Sequence, residues 1–270
     1  MKSLGTHGVA IVTETKNGLL AVQAGDFNIS RSLLANGEYD WPQIAWLNAL
    51  LGSASRVIFA GAHIGAVLVP IVRHATTRTV IAYEPSPRNF RLLTMNLQLN
   101  GIEGVITFNA ALGERSGKTR FTENSSNTGN SRVAPSDGEI TVNVETLDRS
   151  IAADWRSIDL IVMDTEGSEV AAMRGARATL AKTRNLYVEF SPEQLREQGS
   201  SAAEFVDIVE KYFKSAYVFG APILFLGPGK FAEYLKGLQH RRSLLLNVLF
   251  THDTEANPQC MISTLLAPRS

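Results

Sequence analysis

Cysteine is nearly absent: Cys260 stands alone in 270 residues. One thiol excludes an internal disulfide and any zinc site built on several cysteines, and a reducing, cytoplasmic setting fits. An excess of one charge is also missing, because 26 Lys and Arg offset 26 Asp and Glu. No global field draws the chain to nucleic acid or an anionic membrane, so the expected partner is a small or locally recognised molecule. The N-terminal segment lacks the basic stretch and apolar run of a secretory signal. No segment approaches the roughly 20 apolar residues of a membrane span. The apolar run Ala216 to Leu226 is broken by Gly220 and Pro222.

What is present suffices for one substantial α/β domain with its own core. Short apolar pieces over residues 8 to 29 surround Lys16-Asn17-Gly18, and Asn-Gly between such runs signals a hairpin. Helical spacing from Ser32 to Leu51 is interrupted at Gly37 to Pro42, which predicts two helices joined through Gly37-Glu38-Tyr39-Asp40. The expected organisation is therefore an N-terminal hairpin and helices over 1–51, packed on a main domain over 52–270.

From Arg56 onward, strand and helix patterns alternate. Strands are expected at 56–60, 79–83, 104–108, 158–163 and 185–190, and helices at about 64–75, 87–99, 168–181 and 202–214. Ser86, Pro87 and Asn100-Gly101 mark the start and stop of the second helix. Further strands are expected near Ala216 to Phe219 and Ser243 to Thr251, with a helix around Lys230 to Leu238 between them. Such alternation predicts a parallel sheet covered by helices, completed to seven strands by the last two. Thr122 to Ser131, TENSSNTGNS, is too polar for core and reads as a functional loop.

In a doubly wound sheet, ligands bind beyond the carboxyl ends of the strands. At the first end, RVIFAGAHIGAVLVP offers Gly61 and Gly65 for a sharp turn, with helix-opening amides for an anionic group. At the second end stands Glu84, placed to accept hydrogen bonds from both hydroxyls of a ribose. The pair points to a nucleoside-bearing cofactor, although the glycines alone are also consistent with packing and Glu84 with a solvated charge. A nicotinamide fingerprint wants a glycine where His63 stands, which argues against a pyrophosphate. The fourth and fifth strand ends carry Asp164-Thr165-Glu166-Gly167 and Glu189. Three carboxylates on adjacent strand ends suggest a polar pocket opposite a cationic centre. The plain alternatives are that Asp164 caps the next helix and Glu189 pairs with an arginine. Ser168 is placed to cap a helix beginning at Glu169.

These stretches resemble the FkbM family of S-adenosylmethionine-dependent methyltransferases. The likeness is carried by VIFAGAHIG, AYEPSPRNFRLLTMNLQLNG, FNAALGERSG, VNVETLDRSI, IDLIVMDTEGSEVAAMRGA and LYVEFSP, with GEYDWPQIAWLNALL as lead-in. The resemblance implies a class I methyltransferase, Rossmann-like fold with an antiparallel last strand, and O-methylation of a hydroxyl on a sugar or natural-product-like molecule. It implies that Gly61, Ala62 and Gly65 contact the methionine part, Glu84 the ribose, and Asn109 and Ala110 the adenine. Asp164 and Glu166 would face the methyl group and the acceptor. Where that family shows Asp-x-Gly-Ala-Asn, this chain has Phe59-Ala60-Gly61-Ala62-His63. His63 keeps a donor and an acceptor and is able to titrate, so it reads either as a ligand for the methionine carboxylate, as a base, or as part of the turn. Pro70 is expected to kink the helix after the loop.

Methyl transfer to an alcohol needs alignment and a proton acceptor. Asp164 is the expected base, with Glu189 or His63 as alternatives, and Asn127, Asn130 and Ser131 are expected to hold a hydroxylated small-molecule or glycan acceptor. A carboxylate cluster can also hold Mg²⁺, which the sequence does not require. Two rival readings are a non-catalytic module with an altered cofactor loop, and a nicotinamide oxidoreductase.

Overall fold

The computed structural model describes residues 10–151 and 155–256, so Cys260 lies outside it. Strands β1 (Ala10–Thr15) and β2 (Gly18–Gln23) form an antiparallel hairpin. Thr15 pairs with Gly18, so Lys16 and Asn17 make the turn, one residue earlier than an Asn-Gly turn would. Helices α1 (Ile29–Asn36) and α2 (Trp41–Leu50) follow, separated by the expected loop. The main alternation begins with β3 (Arg56–Ala60), α3 (Leu68–His74), β4 (Thr79–Tyr83), α4 (Pro87–Leu99) and β5 (Ile106–Phe108). The Ser86 side chain caps α4 by accepting from the Asn89 amide, as its sequence position implies.

A segment that the sequence left without strands then folds as β6 (Ala110–Leu112), β7 (Gly117–Thr122), β8 (Arg132–Val133) and β9 (Ile140–Glu145). These make a separate sheet in the order β6-β9-β7-β8. The chain continues through α5 (Leu147–Ser150), β10 (Ile158–Met163), α6 (Glu169–Arg174), α7 (Arg177–Leu180) and β11 (Thr183–Phe190). It then adds α8 (Pro192–Glu197), α9 (Ala202–Tyr212), β12 (Ser215–Val218), β13 (Leu224–Leu226), α10 (Lys230–Gly237) and β14 (Leu246–Thr251).

The central sheet has eight strands in the order β13-β12-β14-β11-β10-β3-β4-β5. β14 runs antiparallel to both neighbours, while β10, β3, β4, β5 and β11 pair in parallel. The expected seven strands are therefore supplemented at one edge by β13, whose Leu224 to Leu226 pair with β12. The order turns outward from β3 and β10, which makes their carboxyl ends the switch point where a crevice opens.

Alternation along the buried strands divides the core between the two faces. Ile58, Ile81, Ile161 and Val188 pack with α6, α9 and α10 through Val170, Phe205 and Leu235. Val57, Phe59, Ala82 and Val162 face α1 to α4 and β2 through Leu33, Leu47, Leu68, Leu93 and Leu20. Asn96 of α4 ties the hairpin to this layer: its Oδ1 accepts from the Ala21 amide at 2.6 Å, and its Nδ2 donates to the Ile64 carbonyl at 2.8 Å.

Two helix expectations are corrected. The helix after the glycine loop starts at Leu68, which puts Pro70 in its first turn, where a missing N–H breaks no helical bond; no kink follows. The expected helix 168–181 is divided at Gly175 into α6 and α7. A Cβ at Gly175 would lie 2.0 Å from the Gly113 carbonyl oxygen, so the small sheet approaches the backbone there. Among the described residues no helix is long and apolar enough to cross a membrane.

Candidate active site

The loop after β3 is folded around a carboxylate. Gly61 and Ala62 donate their amides to the Tyr83 carbonyl at 3.0 and 2.8 Å, and the His63 amide donates to Glu84 Oε2 at 2.8 Å. The other oxygen, Oε1, accepts from the Ser86 amide at 2.8 Å. Glu84 thus joins the two strand ends. The loop amides at 61 to 63 have partners within the protein, so any contact of the loop with a ligand would come from other groups. Gly61 has φ 87°, and a Cβ there would sit 1.8 Å from the Asp164 carbonyl oxygen. This position requires glycine on both counts.

Two cavities lie on either side of this loop and share Gly61, His63, Asp164 and Glu166. The narrower one, about 70 Å³, is bounded by Glu84, Asn89, Ala110, Thr128 and Ser131. The wider, about 270 Å³, is bounded by Tyr39, Asp40, Phe59, Tyr187, Glu189 and Asn247. Together they form one bent cleft along the carboxyl ends of β4, β3, β10 and β11.

Its electrostatics are one-sided. Asp40, Asp164, Glu166 and Glu189 line the wider cavity, and among the described residues no Lys or Arg lines either one. Burial, with Glu169 and Asp40 adding repulsion, raises Asp164 to about 7. Asp164 still reaches the open space of the cleft, and water there offsets part of that rise. Burial and then Asp164 raise Glu166 to about 9 and Glu189 to about 10. Near neutral pH these two carboxyls hold protons and are hydrogen-bond donors, while Asp164 titrates. Glu84, buried, is lifted to about 7 against the pull of its two amide bonds. Burial lowers His63 to about 4, so its ring is neutral at pH 7. A neutral ring neither ion-pairs with a carboxylate nor competes well for a proton. Its Nε2 lies 2.9 Å from Thr128 Oγ1.

The structure brings most of the sequence candidates together. Gly61, Ala62, His63, Asp164, Glu166 and Glu189 line the wider cavity, and Glu84, Ala110 and Ser131 the narrower. Asn130 lines the wider cavity too. Gly65 has φ 85° and packs against Leu93, where it shapes the turn. Asn109 instead braces the β4 end, donating to the Glu84 and Pro85 carbonyls at 2.8 and 3.1 Å. Asn127 Oδ1 is buried without a hydrogen-bond partner. Ser168 precedes α6, but its hydroxyl makes no capping bond. Glu169 instead fixes the turn before the helix: its Oε1 accepts from Thr165 N, Thr165 Oγ1 and Gly167 N at 3.0, 2.8 and 3.2 Å. Gln194 Nε2 donates to Glu166 Oε2 at 2.7 Å, which orients that carboxyl.

Sequence reasoning missed Tyr39, Asp40, Gln43, Thr128, Tyr187 and Asn247 as cleft residues. The buried turn residue Asn17 explains how the N-terminal segment reaches the site: its Nδ2 donates to the Tyr39 and Ala66 carbonyls at 2.8 and 2.9 Å, and its Oδ1 accepts from the Tyr39 amide at 2.9 Å. The signal for Asp40 is conformational and invisible in composition. Asp40, His63 and Glu166 are three of the four described non-glycine residues with positive φ, at 49°, 50° and 53°, and all three line the wider cavity. Strain of this kind concentrates at functional sites.

The model of the methyltransferase FkbM domain matches residues 60–217, more than half of the 270 residues. The chain is similar to the 2-O-methyltransferase NoeI of Sinorhizobium fredii, with 35% identity over 82 residues. That stretch covers 28% of this chain and 32% of that relative. Among solved structures, the M. jannaschii protein TYW2 in complex with AdoMet is 11% identical with a TM-score of 0.48, covering 93% of this chain and 88% of that one. A TehB-like SAM-dependent methyltransferase from Corynebacterium glutamicum is 13% identical with a TM-score of 0.44, covering 83% and 94%. The family match spans Gly61, Glu84, Asp164 and Glu189 in one continuous segment, and the chain belongs to the FkbM family of methyltransferases.

Proposed function

We propose that this chain uses S-adenosylmethionine to methylate a hydroxyl oxygen of a sugar or natural-product-like small molecule. The observation that carries the reading is a cavity faced by Asp40, Asp164, Glu166 and Glu189 and lined, among the described residues, by no Lys or Arg. A cation bound there would favour the ionised forms of these carboxyls over the protonated ones of the unliganded protein, so such a surface suits a cationic ligand, and it is joined to a second cavity where Glu84 stands beside Ala110. A carboxylate has about four lone-pair positions, so two amide bonds to Glu84 leave room for ribose hydroxyls. The donor set therefore fits this cofactor. Bound there, S-adenosylmethionine supplies an electrophilic methyl group on a sulfonium.

The chain's own residues do the rest. Gly61 keeps the loop against the Asp164 backbone, which would bring a ligand held along the loop close to the β10 carboxyl end. Asp164, whose proton affinity partial burial and its acidic neighbours raise above the ordinary carboxylate range, is the group placed to act as general base. Glu166 and Glu189, protonated at that pH, donate hydrogen bonds to acceptor hydroxyls or to Asp164. Tyr39, Gln43, Tyr187 and Asn247 give the wider cavity an aromatic and amide wall suited to a polyhydroxylated ring. The name of the relative NoeI, a 2-O-methyltransferase, supports an oxygen acceptor. Calorimetry with S-adenosylmethionine and S-adenosylhomocysteine tests the cofactor. Binding of the charged form in preference to the uncharged product is expected, and no heat and no thermal shift with either would favour a non-catalytic module.

A further inference from the structure

The narrower cavity, about 70 Å³, is small beside the roughly 300–1,000 Å³ of sites that bury a small molecule. Its roof is a strap formed by residues 124–131, which carries a 3₁₀ turn at Thr128–Asn130. The strap is pinched at its base, where the Asn124 amide donates to Ser131 Oγ at 3.0 Å. It leans on the N-terminal segment: Gln23 Nε2 donates to the Ser125 carbonyl at 2.9 Å, Phe27 N to the Ser126 carbonyl at 2.8 Å, and Thr128 N to Asp26 Oδ1 at 3.1 Å. Across the cleft, Thr128 meets His63 Nε2 at 2.9 Å through its hydroxyl, and its carbonyl accepts from Asn89 Nδ2 at 3.4 Å. Two buried polar atoms at the same seam, His63 Nδ1 and Asn127 Oδ1, have no hydrogen-bond partner among the described residues. Unpaired buried groups disfavour the closed arrangement against one in which water reaches them.

We propose that residues 124–131 form a gate over the nucleoside half of the cleft, latched by the hydroxyl of Thr128 on His63. The gate lifts to admit a ribose and its base beside Glu84, hinging at the pinched base between Asn124 and Ser131, and closes on them afterwards. It rests on the cofactor reading given above, and it assigns the polar loop to cofactor entry in addition to any contact with acceptor.

Stopped-flow mixing with S-adenosylhomocysteine tests the gate. Thr128→Val removes the latch hydroxyl and keeps the backbone bonds. Association is expected to rise about fivefold, the equivalent of one net hydrogen bond, with dissociation also faster. Amides of 124–131 should exchange faster with deuterated water in the unliganded variant, and Thr128→Ser should restore the wild-type rates. Should Thr128→Val fold poorly, Gln23→Ala loosens the strap from its outer side and is expected to move both readouts the same way. Unchanged association in a well-folded variant overturns the gate and leaves the cofactor reading standing. Failure of the wild-type protein to bind either S-adenosylmethionine or S-adenosylhomocysteine overturns both.

Discussion

Gly61→Ala puts the central geometric claim at risk. Two separate penalties apply at this position. The φ of 87° lies where an L side chain is disfavoured by about 1–2 kcal/mol. In addition the new Cβ would fall 1.8 Å from the Asp164 carbonyl oxygen, and the atom in its way is backbone, which no rotamer change can move. Overpacking of that kind adds about 1–3 kcal/mol. The sum is about 2–5 kcal/mol, a large share of the roughly 5–15 kcal/mol that holds a domain together. Gly101→Ala is the matched control: its φ is 61°, yet nothing lies within 4 Å of the added Cβ, so only the backbone penalty of about 1–2 kcal/mol applies. Urea denaturation reads the difference as a lower midpoint with an unchanged slope. Relief of the clash must also push the β10 end away from the loop, so Gly61→Ala should lose affinity for S-adenosylmethionine while Gly101→Ala keeps it. Equal destabilisation of the two variants, or full cofactor affinity in Gly61→Ala, would refute the close approach of the loop to the Asp164 backbone.

Asp164→Asn should lower methyl transfer by about 100-fold or more, the usual worth of a positioned base. Because it also removes a charge from a crowded group of carboxyls, the unliganded variant should be at least as stable as wild type at pH 8; normal turnover would remove Asp164 from the base role. The pH dependence of stability has a definite sign. Glu84, Asp164, Glu166 and Glu189 have folded-state proton affinities raised to about 7, 7, 9 and 10, above the ordinary carboxyl range, so the stability they contribute is full in acid and is lost as pH rises through those values. Between pH 7 and 9 His63, lowered to about 4, is neutral in the folded chain and mostly neutral in the unfolded one, so it opposes the trend only slightly and only near pH 7. Urea titrations of the unliganded protein should therefore show stability falling from pH 7 to 9, and the thermal shift produced by S-adenosylmethionine should grow over the same interval. A rise in stability with pH would contradict the uncompensated cluster.

The strand ends were legible because each is an apolar run closed by a carboxylate or glycine. Val57 to Ala60 led to Gly61, Ile81 to Tyr83 led to Glu84, and Ile158 to Met163 led to Asp164; each register has its neighbours where the alternation requires. The small sheet was not legible: β6 and β8 are three and two residues long, too short for a period-2 pattern to register. Eight strands replaced seven because Leu224 to Leu226 follow a Gly-Ala-Pro stretch that reads as a break, whereas in the fold they add a strand to the sheet edge. The role of Asn109 as a brace and of Glu169 as the tie for the 165–167 turn depends on which backbone groups lie within reach, which spacing does not specify. Tyr39 and Asp40 escaped notice for the opposite reason. They read correctly as loop, and what places that loop in the cleft is Asn17, a hairpin turn residue whose amide side chain is buried against it.

Phe59 answers the hardest question the sequence raised. Its ring is buried in the layer under α1 to α4, in register with Val162 and Ala82, and it contributes an apolar floor to the wider cavity. An acid at this position, as in the family pattern, would join Asp40, Asp164, Glu166 and Glu189 around the same space. With Glu166 and Glu189 already pushed to about 9 and 10, a fifth carboxyl would be held protonated and would add little charge for a sulfonium to meet. Asp164 and Asp40 already supply that charge from neighbouring elements. The altered loop and the acid-rich wall are thus two sides of one electrostatic arrangement, in which the negative charge facing the wider cavity comes from the β10 and α2 ends, and β3 contributes an apolar ring.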